Sequence, residues 1–168
     1  ATVKHYGREQ GLVSGAVLSL AEDAGGTLWV GTNGGGIHRL VGDRFDVQSD
    51  ELGIAVVPVR AILPARDGTL WVGTSTGLVR ASWKKPVPPR VMRLGDGLPS
   101  DQVSALYEDR SGRLWVGTRG GLGVMEAGTD TITTAGLGID GTVLAIKGDT
   151  ENRVWISTGN GIAFVRST

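Results

Sequence analysis

Hydrophobic and polar positions alternate in short bursts that return at a fixed interval. Leu28-Trp29-Val30-Gly31-Thr32 recurs over residues 70–74 and 114–118, and in altered form as Val154-Trp155-Ile156-Ser157-Thr158. The tryptophans Trp29, Trp71, Trp115 and Trp155 are 42, 44 and 40 residues apart, so a unit of about 42 residues fills the 168-residue chain. Periods of that length mark solenoids, propellers or arrays. Strand side chains alternate between faces, which puts Leu28, Val30 and Thr32 on one face and Trp29 with Gly31 on the other. Large and small residues therefore share a face at Gly31, Gly73 and Gly117, and each indole is expected to cover the glycine position of a neighbouring sheet.

Twelve residues before each of these tryptophans stands a valine: Val17, Val59, Val103 and Val143. Small residues follow at Ser19, Ala61, Ala105 and Ala145, then Leu20, Ile62, Leu106 and Ile146. The pattern predicts a short strand, apolar on both faces, with a small residue at a close contact. Gly26, Gly68, Gly112 and Asn152 precede each tryptophan by three positions and tolerate positive φ. With polar neighbours such as Glu22-Asp23 and Glu108-Asp109, they predict a hairpin into the tryptophan strand. Gly35, Gly77, Gly121 and Gly161 predict a second reversal, with third strands over 37–41, 78–82, 122–126 and 162–166. Fourth strands are expected over 44–48, 90–94 and 130–134.

The fourth unit stops after its third strand, whereas the chain opens with an additional strand-like segment, Thr2–Tyr6. The expected fold is all-β: one domain over 1–168, a β-propeller or propeller segment of four four-stranded antiparallel blades at about 11–48, 53–94, 97–134 and 138–168. Strand 2–6 or a neighbouring chain is expected to complete the last blade, since closure removes exposed edges. The proline-rich link over 83–89 is expected to blunt an edge.

Composition narrows the function. Seventeen basic residues balance seventeen acidic ones, which removes the field needed to neutralise many phosphates and points away from nucleic acid. Without cysteine there is no disulfide or thiolate metal site, and two histidines are too few for most zinc constellations. No cofactor is expected. No apolar run of about 18 residues offers a membrane span. Any export signal is expected to have been removed from this sequence.

The units resemble the two-component regulator propeller repeat. The third carries Gly97-Leu98-Pro99-Ser100, Glu108-Asp109-Arg110-Ser111-Gly112-Arg113-Leu114-Trp115-Val116-Gly117-Thr118 and Gly120-Gly121-Leu122. The first retains Gly11-Leu12, Glu22-Asp23 and Gly34-Gly35-Gly36, while the second has Pro64-Ala65 in place of Glu-Asp. The resemblance implies a periplasmic or extracellular sensor region of bacterial hybrid histidine kinases and related signalling proteins. It also implies a ligand such as an oligosaccharide.

Propeller ligands generally meet the loops joining second to third and fourth to first strands. Those loops carry Asn33, Arg119, Asn160, Asp101 and Gln102. Arg60 is added because it lies on an innermost strand where the other units place Leu18, Ser104 and Leu144; a charge there needs water, a carboxylate or an anionic ligand. His5 and His38 read as surface or edge residues. The leading reading is a non-enzymatic binding module, its partner a small polar ligand or a protein. A self-assembling scaffold, joined head to tail or continuing a larger propeller, is the second, and a propeller lyase or hydrolase the third.

Overall fold

The computed structural model describes residues 1–84, 87–134 and 136–166. Each repeat folds as an antiparallel meander. The first sheet comprises β1 (Val17–Glu22), β2 (Leu28–Thr32), β3 (Ile37–Val41) and β4 (Arg44–Val47), hydrogen-bonded in that order. The second is β5 (Val59–Pro64), β6 (Leu70–Thr74), β7 (Gly77–Ala81) and β8 (Arg90–Met92). The third is β9 (Val103–Glu108), β10 (Leu114–Thr118), β11 (Gly121–Met125) and β12 (Ile132–Thr133). The fourth has three strands, β13 (Val143–Gly148), β14 (Arg153–Thr158) and β15 (Gly161–Arg166).

Turn chemistry explains the boundaries. Gly26, Gly68 and Gly112 have φ of 80°, 89° and 84°, and Asn152 has 61°, so each first hairpin reverses through a left-handed residue. Fourth strands are shorter than the sequence pattern predicts, because a 3-10 turn over Leu94–Asp96 and the two-residue β12 end the pairing early. In the proline-rich link, Lys85 and Pro86 lie outside the described residues, as do residues 167 and 168 of the last unit.

The core is a series of layers between successive sheets. One joins Trp29 and Ile37 to Val59, Ile62 and Val72. The next joins Trp71, Leu78 and Met92 to Leu98, Val103, Val116 and Ile132, and the third joins Trp115 and Leu122 to Val143 and Ile156. Innermost strands pack in the order β1, β5, β9, β13. The glycines of the tryptophan strands are covered by valine, not by indole as the sequence pattern predicts. A Cβ on Gly31, Gly73 or Gly117 would stand 2.5, 2.6 or 2.5 Å from Cγ1 of Val59, Val103 or Val143 of the next sheet. The indole lies farther along, held by its own turn.

Thr2–Tyr6 forms no strand, contrary to expectation. A ladder needs a partner, and this segment instead lies along the first sheet, with a 2.6 Å ion pair from Lys4 to Asp43 and Tyr6 edge-on to Phe45. His38 also departs from expectation. It is fully buried on β3, where Val13 N–H donates to Nε2 at 3.2 Å.

Candidate functional site

The loop face is built by one bond repeated in every unit. The residue after the tryptophan-strand threonine, Asn33, Ser75, Arg119 or Gly159, donates its N–H to the carbonyl of the residue before the inner valine. Those carbonyls belong to Ala16, Pro58, Gln102 and Thr142, at 2.9, 3.1, 3.0 and 3.3 Å. The threonine hydroxyl adds a second tie, as Thr74 Oγ1 donates to the Gly77 carbonyl at 2.8 Å and Thr118 Oγ1 to that of Gly121 at 2.9 Å. Both loop groups thus share one end of the sheets.

Between the second and third sheets this face opens into a groove of about 690 Å³, lined by Ser75, Thr76, Arg93, Ser100, Asp101 and Gln102 among others. Asp101 Oδ1 accepts from Leu94 N–H at 2.6 Å and Arg93 Nε donates to the Thr76 carbonyl at 3.1 Å, which fixes both walls. Arg119 adjoins the groove, its Nη1 3.5 Å from Gln102 Oε1. The structure therefore brings Asp101, Gln102 and Arg119 together. Asn33 and Asn160 are exposed on the corresponding loops of the first and fourth sheets, outside this groove.

Arg60 is exposed, and a bulge explains why. The ladder pairs Val59 with Thr74 and Ala61 with Gly73, leaving Arg60 out of register. Leu18, Ser104 and Leu144 occupy the same bulge in the other sheets. Bulges re-aim a side chain; simple alternation along the strand does not reveal them. Ser104 uses the freedom to donate its hydroxyl to the Val143 carbonyl at 2.5 Å, with the Gly117 carbonyl 3.1 Å away.

The sequence pattern also understates one aspartate. Read as a turn former, the second residue of Glu-Asp anchors the indole as well. Asp23 Oδ2 accepts from Trp29 Nε1 at 3.0 Å while its Oδ1 accepts from the amides of Gly25 and Thr27. Asp109 holds Trp115 at 3.0 Å and Asp149 holds Trp155 at 2.7 Å. Burial alone would raise the Asp23 carboxyl, but the indole and amide donors outweigh it and hold it below its ordinary value. The Trp155 indole does the same for Asp149, against a smaller opposing effect of burial and with Arg153 assisting. Ala65 occupies this position in the second unit and leaves Trp71 without such an acceptor. The six-residue spacing from Asp to Trp, kept in the first, third and fourth units, was the signal available.

Histidine chemistry is absent from the groove. Burial lowers the His38 pKa, and Nε2, accepting from Val13, is not free to act on a ligand. His5 is exposed in the segment along the first sheet. Among the described residues no group of three or more His, Asp or Glu is placed to hold a metal, and no helix is long and apolar enough to cross a membrane.

Comparison with known proteins agrees with this architecture. The extracellular domain described as that of the hybrid two component system BT3049 from B. thetaiotaomicron superposes with a TM-score of 0.80 at 24% identity, over 96% of this chain and 23% of that one. The extracellular domain of the one component system BT4673 from the same organism gives 0.72 at 21%, over 94% and 22%. An inactive virginiamycin B lyase from Staphylococcus aureus gives 0.63 at 14%, over 90% and 56%. The chain thus spans less than a quarter of the length of either extracellular domain. A search of curated proteins returns no match. The two component regulator propeller family model matches residues 11–34, 53–76 and 97–120, so three of the four units are similar to repeats of that family.

Proposed function

We propose that this chain is a non-enzymatic, extracytoplasmic sensor module of a bacterial two-component-type signalling protein, binding a glycan or similarly polar ligand at its loop face. The observation that carries the reading is the groove between the second and third sheets. Donors from Arg93, Arg119 and Gln102 stand beside acceptors from Asp101 and Thr76, on walls fixed by the repeated backbone ties. A sugar hydroxyl both donates and accepts, so a mixed rim suits it better than a rim of one charge. The repeat family and the extracellular domains that share the fold support the sensor role and the location outside the cytoplasm. Arg60, Asn33 and Asn160 extend the polar rim along the same end of the sheets and would meet a longer ligand.

The lyase or hydrolase reading is weaker. A general acid or base must reach the substrate within hydrogen-bond distance, and neither histidine lines the groove.

The test is a glycan array followed by calorimetry on hits, with Arg119→Ala and Arg60→Ala variants. Loss of a charge-assisted hydrogen bond at Arg119 is expected to weaken binding by about 1.5–3 kcal/mol, roughly 10- to 100-fold. Arg60→Ala is expected to matter only for longer oligosaccharides. Unchanged affinity in both variants would remove the loop face as the site.

A further inference from the structure

An arginine in the middle of the third strand meets different company in the first two sheets. Arg39 pairs with Trp29 across the ladder as Arg80 pairs with Trp71, so the two arginines hold the same place beside their indoles. Arg80 is neutralised there. Asp130, in the link between β11 and β12 of the third sheet, binds both Arg80 and Arg90, the latter at 2.7 Å. The matching link of the second sheet is the proline-rich one, and beside Arg39 it brings Trp83 and Lys84. Where the third sheet offers an acid, the second offers an indole and another cation.

These groups open onto a cavity of about 260 Å³ at the outer strands of the first two sheets, lined by Arg39, Gln48, Leu52, Trp83 and Lys84 among others. The indoles set the cations in place. The Arg39 guanidinium lies 6.0 Å from the Trp29 ring centre, the Lys84 ammonium 5.6 Å from that of Trp83, and the two ring centres are 5.5 Å apart. An aromatic face holds a cation without occupying its N–H donors. Arg39 Nε is buried and has no acceptor, and an unmet buried donor is destabilising until an acceptor reaches it. Gln48 brings a buried carboxamide to the same wall, its Nε2 donating to the Val47 carbonyl at 3.3 Å.

The nearby carboxylates do not neutralise the two cations. Glu51 lines the cavity and Asp46 stands opposite Arg39 across the ladder, yet among the described residues neither forms an ion pair with Arg39 or Lys84. Asp23 feels the Lys84 charge, but its oxygens are taken by the Trp29 indole and the amides of Gly25 and Thr27.

We propose that this cavity is a binding site for a small oxyanion ligand, one bearing a carboxylate, sulfate or phosphate, held by Arg39 and Lys84. A guanidinium presents its donors as a planar fork that meets such groups bidentately. The Lys84 ammonium, exposed at the cavity's edge, adds a point charge. The ligand thus does for Arg39 what Asp130 does for Arg80, and the Gln48 carboxamide and Trp83 ring contact the body that carries the charge. The volume falls below the range of about 300–1,000 Å³ of drug-sized ligand pockets, which limits the occupant to one charged group on a small body. The site lies on the outer strands, apart from Asp101, Gln102 and Arg119, and is independent of any ligand at the loop face.

The test is a titration at fixed ionic strength, followed by the NMR signals of the indole N–H groups, with inorganic phosphate, D-glucuronate and neutral D-glucose as probes. Phosphate or glucuronate is expected to shift the Trp83 and Trp29 signals saturably, and the tighter of the two tells a tetrahedral from a planar oxyanion. Glucose is expected to leave them in place. Arg39→Gln is expected to weaken binding by about 10- to 100-fold and Lys84→Gln by about 10-fold. Lys84 is exposed, so its variant decides the matter independently of any effect of Arg39→Gln on folding. Arg110→Gln removes an equal charge at an exposed position, where the guanidinium reaches the Thr150 carbonyl, and is expected to leave the affinity unchanged. Shifts that grow linearly with every probe, equal shifts with glucose, or an affinity that neither cavity variant lowers would overturn the proposal.

Discussion

Val103 fills the space over Gly73: a Cβ on that glycine would lie 2.6 Å from Val103 Cγ1 and 3.2 Å from Ala61 Cβ. The valine side chain leaves no room for a Cβ at this position, and it is fully buried. Gly73→Ala is therefore expected to destabilise the chain by about 1–3 kcal/mol through overpacking, seen as a lower midpoint in urea. Val103→Ala in the same chain should recover part of the loss by making room. Additive losses would show that the two side chains do not compete.

The aspartate beneath each indole yields a second expectation. Asp23→Ala strips the acceptor from a buried Trp29 N–H and frees two turn amides. A loss of roughly 1–3 kcal/mol is expected for the unsatisfied donor, measured by chemical denaturation.

The reverse change is available at Ala65. Its turn already has the backbone bonds of the others, Ala65 N–H to the Thr69 carbonyl at 2.8 Å and Gly68 N–H to Ala65 at 3.0 Å. Ala65→Asp is expected to stabilise by about 1 kcal/mol if its carboxylate reaches Trp71, and an unchanged urea midpoint would refute it.

Acid should weaken the fold in two stages. Burial places the His38 pKa below its unfolded value of about 6.5, so below that pH the unfolded chain binds the additional proton. Stability is complete above about pH 6.5 and falls as pH drops through it. Asp23 and Asp149 are held below the ordinary carboxylate range. Their contribution is present above about pH 4 and is lost below it. Thermal melts should show both declines, and His38→Gln should flatten the first. A wild-type midpoint constant from pH 7.5 to 5 would count against the first stage.

The strands and hairpins were legible because the same short pattern recurs with glycine or asparagine at each forced reversal. Asp101, Gln102 and Arg119 could be placed on one face because loop position alone determines it. What escaped reading depended on geometry between units. The indole was expected over glycine, but the valine twelve residues before the next tryptophan reaches it first. His38 looked like an edge residue because nothing local shows that Val13 closes over it.

The bulge that sets Leu18, Arg60, Ser104 and Leu144 outside the ladder has a further consequence. A site that contributes nothing to strand register can exchange an aliphatic group for a hydroxyl or a guanidinium while the scaffold holds its shape. Each unit thus carries one adjustable position on its innermost strand, where a side chain can be exchanged without redesigning the sheets.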